Sequence, residues 1–287
     1  MTCLVTGATG FVGRALLPRL AEREEVVALC RHDPEPDATD HVRWLRQDLA
    51  RPLDESALPQ HVNAVIHLAQ SQRYREFPDG AVDMIEVNVA STVRLLDYCH
   101  RAGSASFVLA STGAIYAPGR GPVSEADMPR PGNFYGASKL AAEQVAAPYG
   151  ALLRVQIVRP FFVYGPGQQA NRFIPGLLAR VRAGLPVTLA GHDGIRLNPV
   201  YIDDAVEVLL GALELEDSET LNMAGPAVYS IREIAEMIGA ELGANPSFDA
   251  TEPADDLVAS IDRLTEKLGS PTVAMPEGLA RTVAAAL

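Results

Sequence analysis

The chain has 287 residues, 48% of them hydrophobic and 21% charged, with a formal net charge of −12. That length can bury the core of one large domain or two smaller ones, and the acidic balance argues against nucleic acid or an anionic membrane as the main partner. No apolar run approaches the ~18 residues of a membrane span, no leader-like segment opens the chain, and the scattered Cys3, Cys30 and Cys99 fit a reduced cytoplasm better than a disulfide framework or metal site.

In chain order, short apolar runs predict strands at Thr2–Thr6, Val26–Cys30, Val42–Gln47, Ala64–Leu68, Ser106–Ala110 and Val155–Arg159. Helical patterns lie between them at Val12–Glu22, with Pro18 breaking a local rule, at Val82–Arg101 and at Tyr135–Ala147. This alternation predicts an α/β fold with a doubly wound parallel Rossmann sheet. The last third reads as helices at Asn171–Ala183, Asp203–Leu213, Ser230–Leu242, Arg263–Leu268 and Pro276–Ala286, with strands at Pro186–Leu189 and Thr220–Met223. Asp203 or Asp204 is expected to cap one helix, and Ser230 with Glu233 to form a capping box on the next. The expected division is a Rossmann domain over residues 1–168, with a segment near 191–225 returning to it. A small C-terminal α/β substrate part then comprises 169–190 and 226–287.

Five segments carry chemistry. Gly7, Gly10 and Gly13, in Thr6-Gly-Ala-Thr-Gly-Phe-Val-Gly13, leave the first strand and open the first helix. There a dinucleotide pyrophosphate meets a helix N-terminus. Arg31 ends the second strand, where an acid suits a ribose 2′-hydroxyl and an Arg suits a 2′-phosphate. NADP is therefore favoured over NAD, with Asp33 the nearest acid. Asp48, after the third strand, either contacts the adenine or closes its own loop. Ser111 and Thr112 end a buried strand, where a hydroxyl can meet a reacting oxygen or cap its own backbone. Tyr135 and Lys139 are four apart, so on a helix they share one face. An ammonium beside the phenol favours the phenolate. Because an unperturbed Tyr titrates near ~10, work near neutrality needs a drop of about 3 units. Such a Tyr can exchange a proton with a hydroxyl or ketone.

With these segments, His67-Leu68-Ala69, Asn88-Val89, Arg159–Gln168 and Asn198–Asp204 follow in order, and the whole chain resembles an extended short-chain dehydrogenase/reductase of the NAD-dependent epimerase/dehydratase family. The resemblance implies that Tyr135 is the acid/base, Lys139 its partner and Thr112 the second hydroxyl. It implies a cofactor site of Gly7, Thr9, Gly10, Phe11, Val12, Gly13, Arg31, Asp48, Leu49, Leu68, Ala69, Gln70, Asn88, Ala110, Ser111, Tyr135, Lys139, Pro160, Phe161, Phe162 and Val163. The implied substrate contacts are Gln70, Thr112, Gly113, Tyr135, Phe162, Arg172 and Arg196. A homodimer through the helices around Leu95 and Leu140 is also implied, with no metal.

Gly113 and Ala114 stand where the family's dehydratases carry Asp-Glu and where its 3,5-epimerases carry a thiol at the second position. What remains is alcohol–ketone redox, as in a sugar-nucleotide 4-epimerase or 4-ketoreductase. Two departures bear on the substrate. Phe162 replaces a family Asn, and Pro253-Ala254-Asp255-Asp256 replaces a segment whose Arg grips the diphosphate. The lost charged hydrogen bond is worth about 1.5–3 kcal/mol, and Arg172 or Arg232 are its possible replacements. The alternatives are an NADP-dependent reductase of a non-sugar carbonyl and a cofactor-binding protein without turnover.

Overall fold

The structure is a computed structural model that describes residues 1–32, 42–119 and 121–286. Asp33, weighed beside Arg31, and the rest of its charged loop to Asp40 lie outside them. The first half runs β1 (Thr2–Thr6), α1 (Phe11–Ala21), β2 (Glu25–Cys30), β3 (Val42–Arg46), β4 (Ala64–His67), α2 (Ala81–Met84), a π-helical turn (Ile85–Ala90), α3 (Ser91–Arg101), β5 (Ser106–Ala110), α4 (Phe134–Ala146) and β6 (Arg154–Pro160). Then follow β7 (Val163–Tyr164), α5 (Phe173–Arg182), β8 (Val187–Ala190), β9 (Arg196–Leu197), β10 (Val200–Tyr201), α6 (Ile202–Glu214) and β11 (Thr220–Met223). The chain closes with β12 (Tyr229–Ser230), α7 (Ile231–Leu242), β13 (Phe248–Thr251), α8 (Asp262–Leu268) and α9 (Met275–Ala284).

The central sheet has seven strands in the order β11-β6-β5-β4-β1-β2-β3, and its pairs from β6 through β3 are parallel. The order reverses at β1, which places the β1–α1 turn beside the end of β4, at the crevice where such sheets bind ligands. Strands covered on both faces read as apolar runs rather than alternations. Leu4, Val5, Val65, Ile66, Phe107 and Val108 are accordingly fully buried. Leu95, Leu96, Ala142 and Ala146, from α3 and α4, pack in one core cluster with Leu4, Val65, Phe107 and Leu109 from the sheet.

The described chain falls into two compact units. The first holds Met1–Tyr116, Met128–Arg159 and Val206–Leu221, and the second Ala117–Asp127, Pro160–Ala205 and Asn222–Leu287. Residues 117–127 and 160–168, together with 191–205 and 222–225 of the expected returning segment, cluster with the second unit. Within that unit, the Val123 and Gly119 amides donate to the carbonyls of Val258 and Asp256 at 2.8 Å, which ties the 117–127 stretch to the C-terminal chain.

Two local expectations are corrected. The helix expected over Val82–Arg101 is interrupted by the π turn, where Ser91 and Thr92 hydroxyls donate to the Val87 and Asn88 carbonyls. Neither Asp203 nor Asp204 caps α6. Both lie inside its first turn, Asp204 accepting from the Thr272 and Val273 amides and Asp203 pairing with Arg281. Leu95 is wholly buried in the core and Leu140 is half-buried. The Ser230–Glu233 capping box forms as expected, and α7 ends on Gly243 at φ +64°.

Candidate active site

The β1–α1 turn is shaped by its glycines. Gly7 has φ +68°, and a Cβ there would lie 2.6 Å from the Ala69 amide nitrogen. A Cβ on Gly13 would fall inside contact distance of the Gly7 carbonyl, so strand and helix approach closely only without side chains. Gly10 is the N-cap of α1 and brings no side-chain cap, and the first turn holds no acid. The first amides of α1 are thus left to a ligand, at the positive end of the helix dipole. This cradle fits a dinucleotide pyrophosphate, with Thr9, Gly10, Phe11 and Val12 at its rim.

Under the turn runs a hydrogen-bond relay. The Ala69 amide donates to Thr6 Oγ1 (3.2 Å), which lies 2.6 Å from His67 Nδ1. His67 Nε2 then carries the ring proton towards Ser91 Oγ (3.3 Å), whose own proton goes to the Val87 carbonyl (2.6 Å). Burial, with the charge of Lys139 adding to it, lowers the His67 pKa from 6.5 to about 3, so the ring stays neutral. Asn88 bonds at both ends of its amide: Oδ1 accepts from the Ser71 amide and Nδ2 donates to Ser138 Oγ, each at 2.9 Å. It ties Ser71 to α4.

α4 starts at Asn133, whose Oδ1 accepts from the Gly136 amide at 2.8 Å. This cap sets the phase of the helix, so Tyr135, Lys139 and Glu143 follow at successive turns. The Tyr135 hydroxyl donates to Gln70 Oε1 at 2.7 Å, and its ring packs against Tyr74 with centroids 5.4 Å apart. Lys139 is 1% exposed. Burial lowers its pKa from 10.5 to about 8, against the opposing charge of Glu143.

Thr112 caps the short turn that follows β5, its Oγ1 accepting from the Ala114 amide at 3.2 Å. The reading of this residue as a cap of its own backbone therefore holds, yet its hydroxyl proton remains free to donate. Ser111 is different: its buried hydroxyl is committed to Glu143. That separates the two candidates: the Ser111 hydroxyl is engaged by Glu143, while Thr112 is half-buried and accepts from its own turn.

Other expected residues divide by position. Arg31 is exposed just beyond β2. Asp48 closes its own loop, accepting from the Ala50 amide at 3.1 Å, and Leu49 is a core residue. Leu68, Ala69 and Gln70 border the glycine turn, and Ala110 and Gly113 flank Ser111 and Thr112. Pro160, Phe161, Phe162 and Val163 belong to the second unit. Phe161 is buried there, its amide donating to the Met223 carbonyl at 2.8 Å, and Phe162 adopts φ +49° with its ring 5.7 Å from that of Phe173. Arg172 precedes α5. Arg196 and Arg232 border an open depression of about 440 Å³ with Asp193, Glu233 and Asp256. Arg232 is already engaged there, donating to the His192 carbonyl (2.7 Å) and lying 4.1 Å over the Phe248 ring.

Sequence reading gave no role to Glu143, and it named His67 and Arg159 only as parts of motifs. Glu143 carried one signal, the continuation of the Tyr135–Lys139 spacing by another four residues.

A sequence profile of the NAD dependent epimerase/dehydratase family matches residues 3–224. The dTDP-4-dehydro-6-deoxy-D-allose reductase of Streptomyces bikiniensis is 30% identical, over 84% of this chain and 81% of its own. The UDP-glucose 4-epimerase of Mycolicibacterium smegmatis is 30% identical over 99% and 97%. The structure of UDP-glucuronic acid 4-epimerase from Bacillus cereus, in complex with UDP-glucuronic acid and NAD, superposes with a TM-score of 0.88 at 27% identity, covering 99% of this chain and 98% of that one. With its family match over residues 3–224, and a Rossmann sheet that carries the glycine turn and the Tyr135–Lys139 pair, the chain belongs to the NAD dependent epimerase/dehydratase family and is an enzyme of the extended short-chain dehydrogenase/reductase type.

Proposed function

We propose that this enzyme interconverts a hydroxyl and a ketone on a nucleotide-linked sugar, as a 4-epimerase or a 4-ketoreductase. The carrying observation is the turn after Thr112. Gly113 and Ala114 add no acid, base or thiol, and the Ala114 carbonyl lies where a Cβ on Gly136 would clash. Tyr135 Oη therefore moves the proton to and from the reacting sugar oxygen, Thr112 Oγ1 donates a hydrogen bond to that oxygen, and Lys139 Nζ holds positive charge one helical turn below the phenol. A bound nicotinamide dinucleotide supplies or accepts the hydride. The relatives named above act on dTDP- and UDP-linked sugars by their names, which supports the substrate class.

The test is a panel of UDP-, dTDP- and GDP-sugars assayed with cofactor. Tyr135→Phe should still bind cofactor and lose about 10²- to 10⁴-fold in kcat, the range of general acid–base catalysis. Near-normal turnover by that variant would overturn the mechanism.

NADP is proposed as the preferred cofactor, on the ground of Arg31 exposed beyond β2. NADP should bind more tightly than NAD, and Arg31→Asp should reverse the order. A native preference for NAD that this change leaves untouched sinks the assignment. A homodimer is proposed through Val82, Ile85 and Val93, an exposed apolar stripe along α2, the π turn and α3. Cys3, Cys30 and Cys99 are buried thiols outside any disulfide among the described residues, which supports a reducing, cytoplasmic setting, and among the described residues no helix is long and apolar enough to cross a membrane.

The Phe162–Phe173 pair and the acids Asp255 and Asp256 favour one second reading, an NADP-dependent reductase of an apolar, non-sugar carbonyl. Stabilisation by NADP with no thermal shift from any nucleotide sugar would select it.

A further inference from the structure

Beneath the Tyr135–Lys139 pair lies a buried charge network that no step above uses. Glu143 and Arg159 form a two-pronged pair, Nη2 to Oε2 at 2.7 Å and Nε to Oε1 at 3.0 Å. Glu143 Oε1 also accepts from the Ser111 hydroxyl, and Arg159 Nη1 donates to Tyr116 Oη at 2.5 Å while the guanidinium lies 5.3 Å from that ring's centre. All four side chains are buried. Burial works against the charge on Arg159, and the hydrogen bonds and charge of Glu143 more than offset it, holding its pKa above the ordinary value.

The network grips the turn that carries Thr112 at both ends. Ser111 precedes Thr112 and is tied to Glu143, while Tyr116 closes the turn and is tied to Arg159 on β6. A second contact sits at the other end of α4. Gly136, next to Tyr135, has no room for a Cβ against the Ala114 carbonyl. The turn and the helix are thus registered at two points, one beside Tyr135 and one two helical turns on. Removing a member of a buried pair leaves an uncompensated charge, so the network is costly unless complete.

We propose that Glu143 is a positioning residue: with Arg159 it holds the Ser111–Tyr116 turn against α4, and so sets the place of Thr112 relative to Tyr135 and Lys139. Lys139 faces Tyr135 and Glu143 along its own helix, and His67, at the end of β4, lies near enough to feel its charge. Glu143 therefore acts on the site twice, by registering the turn and by supporting the charge of Lys139. The proposal rests on Tyr135 being the acid/base.

The experiment compares Glu143→Gln and Tyr116→Phe with the native enzyme and Tyr135→Phe, on one nucleotide sugar, with melting curves, cofactor affinity, kcat and KM across pH, and crystal structures. Glu143→Gln should bind cofactor and keep its KM while kcat falls about 10- to 100-fold, the scale of an ångström-sized misplacement. Its alkaline limb should move to lower pH, because the charge supporting Lys139 is gone. Tyr116→Phe should lower kcat less and leave that limb in place. In the crystal of the first variant, Thr112 should be displaced from its position relative to Tyr135. A folded Glu143→Gln with native kcat, pH profile and Thr112 position overturns the proposal. Should that variant fail to fold, native kcat and an unmoved turn in Tyr116→Phe do the same. Turnover retained by Tyr135→Phe would instead remove the acid/base reading, which separates the two failures.

Discussion

Lys139 titrates near 8 instead of 10.5 because the fold keeps it from water. The unfolded chain therefore binds more protons than the folded one between those two values, and stability rises with pH across that window. Below pH 8 the penalty is complete, about 3 kcal/mol. Lys139→Met should raise the melting temperature of the cofactor-free protein at pH 7 and abolish turnover, and the gain should shrink as pH rises towards 10.5. His67 has the same sign at the acid end. Its folded pKa of about 3 lies below the ordinary 6.5, so stability should fall as pH drops from 6.5 towards 3, at most about 1.4 kcal/mol per unit. Denaturant midpoints across that range should fall less steeply in His67→Gln. Tyr135, Lys139 and the three glycines were legible in the chain because each signal is local, a four-residue spacing or a turn between strand and helix. Glu143 was not, because its meaning depends on Ser111 and Arg159, 32 and 16 residues away.

α4 illustrates what elements add. Its extent was readable from apolar spacing, and Asn133 fixes its start by capping it. The pressure of the Thr112 turn on its first residues was not readable, since nothing in the order of residues announces that the Ala114 carbonyl abuts Gly136. Gly136→Ala should cost about 1–3 kcal/mol through overpacking. Because the new methyl pushes on the turn carrying Thr112, kcat should drop in assays run well below the melting point. The π turn makes the same point. An apolar pattern from Val82 to Arg101 reads as one helix, while the Ile85–Ala90 stretch is π-helical, with Asn88 inside it tied to Ser71 and Ser138.

At the scale of the molecule, the parallel sheet was legible because its strands are apolar runs alternating with amphipathic helices. The division into units was less so: residues 117–127 join the second unit through backbone bonds to Asp256 and Val258, partners more than 130 residues on. The same holds for the surface. Leu95 and Val93 sit on one helix, and only packing tells that the first is core and the second outside. If the stripe of Val82, Ile85 and Val93 joins two copies, Ile85→Glu should halve the mass found by light scattering and leave the circular dichroism unchanged. An unaltered mass would remove that surface from consideration.

The relay through His67 has a spectroscopic consequence. Its ring is sealed from water and held as the Nε2–H tautomer, linked through Thr6 to the Ala69 amide beside the glycine turn. Its two ring nitrogens should give separate, pH-insensitive nuclear magnetic resonances above pH 4. A shift in them on adding dinucleotide would report, from inside the protein, that the turn above has closed on its ligand.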